Sequence, residues 1–249
     1  MASFPSIATA AMRRHHDRIV LVLLGFAAGY VDGCTMVALF GLFVAQVTGS
    51  FVVAGALLVI HEQGTLIKVL AIPAFVVGAA VTTVLVSTVR GTAAVLGLEC
   101  LLLVGLAAAA LSGPLAGPDE PRALAAGLFG LGAMGVQSAF VRLTMRGACS
   151  TNVMTTNTTQ VAVDTTVLLL ARLTRNGFPR LRPSLDPGEA RGRLAQTLPV
   201  VLAFLAGTLG GALACDRVGF VALTLPITIM LGLTIQAARR DRPAVGKAM

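Results

Sequence analysis

The chain predicts an all-α, polytopic membrane helix bundle, and three observations carry that prediction. Hydrophobic residues make up 56% of the 249 and charged residues 12%, against about 25% charged in a soluble domain; the mean hydropathy is +0.86. Apolar stretches of spanning length follow one another with short interruptions. Basic residues flank those stretches instead of spreading over a surface. So little charge cannot cover a water-facing surface of this size, which excludes a soluble enzyme, a secreted disulfide scaffold and a disordered tail.

A crossing helix needs about 20 apolar residues. Eight stretches qualify or nearly do: 19–39, 41–60, 66–89, 93–111, 123–141, 151–170, 197–214 and 218–237. The first follows Arg13, Arg14, His15, His16 and Arg18, which has the look of a signal-peptide n-region. Because further spans follow at once, it reads as a retained helix. Two stretches are doubtful. Residues 41–60 are broken by small residues, and 151–170 carry Asn152, Thr155, Thr156, Asn157, Thr158, Thr159, Gln160 and Asp164. A stretch that polar cannot face lipid; it lies inside the bundle or is a re-entrant element lining a wet cavity. The count is therefore six to eight membrane segments in a single membrane domain, 1–249. Pro73, Pro199 and Pro226 fall inside spans and would kink them.

One interruption, about 172–195, is long enough to be a real loop, and it holds Arg172, Arg175, Arg180, Arg182, Arg191 and Arg193. By the positive-inside rule it is cytoplasmic, as are both termini with their Arg and Lys residues. Eight spans and six spans differ by one basic residue on the inside, too little to choose between them. The net charge of +8 and pI near 10.6 follow from the same flanking pattern. No basic stripe with interleaved aromatics supports nucleic-acid binding. Cys34, Cys100, Cys149 and Cys215 form no C-x-x-C pair and read as small packing residues. His61 and Glu62 in a short turn and His15-His16 near the start have no metal-site spacing. Trp is absent and Tyr30 is the only Tyr, so basic residues do most of the anchoring at the membrane surfaces.

Two passages echo each other about 107 residues apart. Gly29-Tyr30-Val31-Asp32 leads on to Thr48-Gly49-Ser50, and Gly135-Val136-Gln137-Ser138 leads on to Met154-Thr155-Thr156-Asn157. The spacing suggests two related halves, about 19–112 and 123–237, a common build of membrane transporters; a chance echo in an Ala/Gly-rich chain is the competing explanation. At these residues the chain resembles the YoaK-type bacterial membrane proteins, a family of unknown function. The first motif there, roughly G-[FY]-[VI]-D followed by F-V-x-x-x-T-G-N, is met here by Gly29 to Asp32 and by Phe43 to Ser50. The second, roughly G-x-Q-N-A, then T-x-x-M-T-G and an acid further on, is met by Gly135 to Ala139, Thr151 to Thr156 and Asp164. Ser50, Ser138 and Thr156 depart from the usual Asn, Asn and Gly, which weakens any role that needs an amide at 50 or 138. The resemblance runs from about residue 19 to 237 and implies a multi-pass protein of the bacterial inner membrane, without naming an activity.

The candidate site residues are the polar groups at membrane depth. Asp32 lies well inside the first span, where a carboxylate costs roughly 2.5–3.5 kcal/mol. It is either a proton- or cation-responsive acid facing a cavity or a structural acid bonded to a facing helix. Asp164, with Gln160 one turn before it and Asn157 beyond, forms a polar stripe: a solute or ion path, or a network that locks the bundle. Thr48-Gly49-Ser50 and Thr155-Thr156-Asn157 can each start a helix. A helix start deep in a membrane can hold an anionic group; ordinary capping at a tight connection is the alternative. Gln137 joins this set through the second motif. Glu99 has no polar neighbour on its own helix and is expected to pair with a basic residue such as Lys68 or Arg142. Gly25, Gly29 and Gly33, and later Gly207 and Gly211, are spaced for close helix packing, within one chain or between copies.

The functional expectation is a small-solute or ion permease. Asp32 and Asp164 would be its ion-responsive acids, and Thr48, Ser50, Gln137, Thr155, Asn157 and Gln160 its polar ligands. Its partners would be the bilayer and a small solute or a proton or cation, with no cofactor and no metal. A scaffold or sensor whose polar core only fixes the fold is the main alternative. An intramembrane enzyme is the third, and it lacks paired His, Asp-x-x-x-Asp and nucleophile motifs.

Overall fold

The computed structural model describes residues 7–60, 63–89, 91–145, 147–175 and 185–241. These residues are helical and contain no strand: α1 (Ile7–Ala38), α2 (Val47–Ile60), α3 (Thr65–Thr88), α4 (Ala93–Leu111), α5 (Pro121–Thr144), α6 (Met154–Arg175), α7 (Pro187–Val218) and α8 (Thr224–Asp241). Five runs are long and apolar enough to cross a membrane: His15–Ala38, Thr65–Thr88, Ala93–Leu111, Pro121–Thr144 and Pro187–Asp241. The last has 55 residues and is broken by Gly219, whose φ of 59° opens a 3₁₀ turn, Gly219–Leu223.

The two doubtful stretches behave alike. After α1 the chain reverses at Phe40 and Gly41, both with positive φ, and residues 42–46 run back along the bundle before α2 begins. At 14 residues, α2 is about 21 Å long, too short for a hydrocarbon core of about 30 Å. After α5 the chain again runs without helix, over 147–153, before α6. α6 is not among the helices apolar enough to cross.

Two intimate helix pairs hold the centre. α1 packs chiefly on α7, and α3 on α5. A Cβ on Gly29 would strike the carbonyl of Phe204, one on Gly33 that of Thr208, and one on Gly211 that of Tyr30, so backbone meets backbone along a parallel α1–α7 seam. Gly78 and Gly132, and Gly135 with Phe75, do the same for α3 and α5. The small-residue stripes thus pack helices within one chain, by the close approach that small residues permit in lipid. α4 runs antiparallel to α5, with Gly105 beside Phe129 and Leu106 beside Gly130. It also runs antiparallel to α8, where Ala93 N–H donates to Asp241 and the Cys100 thiol to the Ile227 carbonyl.

These directions sort the charges. Near the starts of α1, α4 and α7 and the ends of α3, α5, α6 and α8 lie Arg18, Arg142, Arg172, Arg175, Arg191, Arg193, Arg239 and Arg240. Asp119, Glu120, Arg122, Asp216 and Arg217 lie at the other end.

The stretch read as a basic loop, about 172–195, is in large part helix. α6 continues to Arg175 and α7 starts at Pro187. Asp186 caps α7 by accepting from Glu189 N–H at 2.9 Å, Pro187 takes the first helical position and Glu189 the first turn. Arg180 and Arg182 lie outside the described residues, as do His61 and Glu62. The four cysteines that the structure describes are free thiols.

Candidate functional site

The two non-helical stretches are held in the core by different chemistry. Asp32 is buried, and its Oδ1 accepts the backbone N–H of Val44 at 2.7 Å and of Ala45 at 2.8 Å. Ser50, also buried, donates its hydroxyl to the Phe43 carbonyl at 2.9 Å. The Lys68 ammonium donates to the Phe40 carbonyl at 3.2 Å and steadies the reversal. Asp32 thus stabilises the segment that delivers the start of α2, since a carboxylate accepting two N–H groups makes strong, charge-assisted bonds.

In the second half the anchor is Gln137, fully buried on α5. Its Nε2 donates to the Leu24 carbonyl of α1 at 3.2 Å, to Thr151 Oγ1 at 2.8 Å and to Asn152 Oδ1 at 3.1 Å. Asn152 in turn donates to the Met134 carbonyl at 3.3 Å. Ser150 Oγ accepts the N–H groups of Asn152 and Val153, and Asn157 Nδ2 donates to the Ser150 carbonyl at 2.5 Å. The network ties α1, α5 and the start of α6 together.

The result is that the first turns of α2 and α6 border one cavity of about 260 Å³. Gln46, Thr48, Ser138, Asn152 and Thr155 supply its polar lining, and Phe51 and Phe75 are among its apolar walls. It lies against Ile72, Phe75 and Val76, halfway along α3. The starts of α2 and α6, where a helix carries the positive end of its dipole, both border it. A second, more polar cavity of about 390 Å³ opens at the arginine-rich end, with Arg142, Ser150, Asn157, Gln160, Arg193 and Gln196 among its lining. Val153, half-exposed, lines both cavities.

The eight candidate residues therefore divide. Thr48 and Thr155 meet at the first cavity, where both are exposed. Asp32, Ser50 and Gln137 stand behind it and fix its walls. Asn157 and Gln160 line the outer cavity. Asp164 is fully buried, and its Oδ1 accepts from Arg193 at 2.9 Å while its Oδ2 accepts from Gln160 at 3.0 Å. It sits near the arginine-rich end, away from Asp32, so the two acids do not share a site. Glu99 does not pair with Lys68 or Arg142: Lys68 serves Phe40, and neither carboxyl oxygen of Glu99 has a hydrogen-bond partner. An antiparallel α4–α5 seam carries no cation at its level. Gln46, Ser138, Asn152, Arg193 and Gln196 line the cavities but lie outside the eight candidates. Gln46 stands two residues before Thr48 and was within reach of motif reasoning; nothing in sequence joins Arg193 to Asp164.

A family model described as a protein of unknown function (DUF1275) matches residues 20–236, and the chain belongs to that family. No curated protein and no solved structure matches the chain.

Proposed function

We propose that this family member is a small-solute or ion permease of the bacterial inner membrane, not an enzyme, with its central site where α2 and α6 begin. The observation that carries the reading is the single cavity bordered by both helix starts, with Thr48, Ser138, Asn152 and Thr155 turned to it. Helix starts at membrane depth suit a solute that presents a negative or hydrogen-bond-accepting group. The outer cavity, which shares Val153 in its lining, offers an approach from the arginine-rich end. By the positive-inside rule that end is cytoplasmic and holds both termini.

In this reading the halves are inverted repeats: α1 to α4 and α5 to α8, each with one re-entrant half-helix. The paired seams support it, since Gly29 of α1 sits on Phe204 of α7 as Gly135 of α5 sits on Phe75 of α3. Rocking one such half against the other is the usual route to alternating access. One set of observations favours a second reading, a non-transporting scaffold or sensor: Asp32, Asn157 and Asp164 all bind protein partners.

The test uses single reporter cysteines in a cysteine-free background. Thr48→Cys and Thr155→Cys should react with a small, charged, water-soluble thiol reagent, because a permease site must be wet. Gly64→Cys and Gly117→Cys should react from outside intact cells and Gly147→Cys should not. A central pair that never reacts from either side would end the permease reading, and the reversed pattern at the three glycines would end the re-entrant topology.

A further inference from the structure

Glu99 is fully buried in α4, and both of its carboxyl oxygens lack a hydrogen-bond partner. Among the described residues three acids are buried, Asp32, Glu99 and Asp164; Asp32 has two backbone N–H groups and Asp164 has Arg193, while Glu99 has neither a counter-charge nor a donor. An ionised carboxylate without partners in such a place is far too costly to persist. The antiparallel register of α4 and α5, with Leu106 by Gly130 and Leu102 by Gly132, puts Glu99 level with Gln137. Gln137 Oε1 is likewise buried and without a partner. Three acceptor oxygens without a donor therefore lie at one depth of the bundle. Gln137 leads on to the first cavity, because its amide donates to Asn152, which lines that cavity.

We propose that Glu99 is a proton-binding site in the membrane interior: it holds a proton in this conformation and exchanges it with water when α4 and α5 part. On release the carboxyl O–H bond breaks and the proton passes to an entering water; on closure it returns. The surrounding charges leave it this role. On α5 the first charge beyond Gln137 is Arg142, level with the start of α4. On α8 the charges are Arg239, Arg240 and Asp241, at the level of Ala93. On α3, Lys68 lies at the far end and serves Phe40. The 3₁₀ turn, Gly219–Leu223, carries none, and on α4 itself the neighbouring titratable group is the thiol of Cys100. Use of this proton as the coupling ion rests on the permease reading; its binding at Glu99 does not.

Infrared spectroscopy of the full chain in lipid nanodiscs at neutral pH tests the proposal, with the proton itself as the probe. The wild type should show the carbonyl stretch of a protonated carboxylic acid, absent from Glu99→Gln, and the band should move after transfer to heavy water. If Glu99→Gln fails to fold, carbon-13 glutamate in the wild type decides, because it moves the band only if a glutamic acid carries it. Of the four glutamates, Glu120 and Glu189 are paired with arginines near the surface. No such band, a band insensitive to glutamate labelling or to Glu99→Gln, or a band that never responds to heavy water would each overturn the proposal. Failure of the permease reading appears elsewhere, as unreactive cysteines at 48 and 155, and leaves the band in place.

Discussion

Asp32 offers the sharpest separation of a positioning role from an ion-binding role. Replacement by Ala deletes the acceptor of two buried N–H groups, those of Val44 and Ala45. Each buried donor left unsatisfied costs about 1–3 kcal/mol, so Asp32→Ala should lose about 2–6 kcal/mol. Asp32→Asn keeps an oxygen in place and loses only the charge assistance; charge-assisted bonds are roughly twice as strong as neutral ones, so about 1–3 kcal/mol is lost over the pair. Thermal unfolding in detergent should therefore rank wild type, Asn and Ala, with Ala far below the other two. Hydrogen exchange by mass spectrometry should show residues 43–46 losing protection in Ala and keeping most of it in Asn. An Ala variant as stable and as protected as the wild type would refute the claim that Asp32 holds this segment. An Asn variant that folds well and no longer admits thiol reagent at Thr48→Cys would show that the charge itself is needed at the cavity.

Three further outcomes follow from the packing. Gly211→Leu should cost about 3 kcal/mol, the upper range for overpacking, because its Cβ meets the Tyr30 carbonyl and backbone cannot rotate away; the same thermal assay reads it. Gly232→Ala, with open space at its Cβ, should be neutral or gain up to about 1 kcal/mol from helix propensity. Arg193→Ala leaves the buried Asp164 without its counter-charge, with only Gln160 donating to it, and should lower stability by less than the full penalty for a buried pair because the guanidinium is partly solvated. Adding Asp164→Asn should restore most of that loss, and a double-mutant cycle by thermal unfolding checks it.

The all-helical membrane character was legible because composition and run length are long-range averages that no single contact can overturn. Its finer shape was legible where local chemistry decides. The polar run from Asn152 to Asp164 was expected inside the bundle or along a wet cavity; Asn152, Asn157 and Asp164 are buried, whereas Thr155, Thr156, Thr158 and Thr159 are exposed, because α6 packs one narrow face and leaves the rest open. The helix starts at Thr48 and Thr155 were readable from side chains that favour such positions, although Asp32, Ser50 and Ser150 make the stabilising bonds. Asp186-Pro187-Gly188-Glu189 was an overlooked start signal, masked by the arginines around it. What no local rule could supply was which helices touch. Asp164 finds Arg193 across 29 residues of chain, and Gln137 finds Leu24 across 113. Glu99 shows the same limit: the cost of burial predicts a paired acid, yet among the described residues no cation lies at its depth.

The two anchors are not equivalent, and the difference says which segment is free to move. The first is pinned by a carboxylate to two backbone N–H groups, by Ser50 to Phe43 and by Lys68 to Phe40. The second satisfies its N–H groups locally, through Ser150, and is tied to α5 by a neutral amide with one oxygen unpartnered. Bonds to charged groups contribute about 1.5–3 kcal/mol and neutral ones about 0.5–1.5, so opening the first segment breaks the stronger set. Val153, which lines both cavities, lies in the second segment. On the permease reading, a passage between the two cavities would open at Val153 while residues 42–46 stay put. Hydrogen exchange should be at least tenfold faster at 151–153 than at 44–45, since ten-fold corresponds to about 1.4 kcal/mol. Asp32→Ala should erase that difference by accelerating the first segment. Equal or reversed protection in the wild type would place the moving element in α2 instead, and the gate at Val153 would then have to be abandoned.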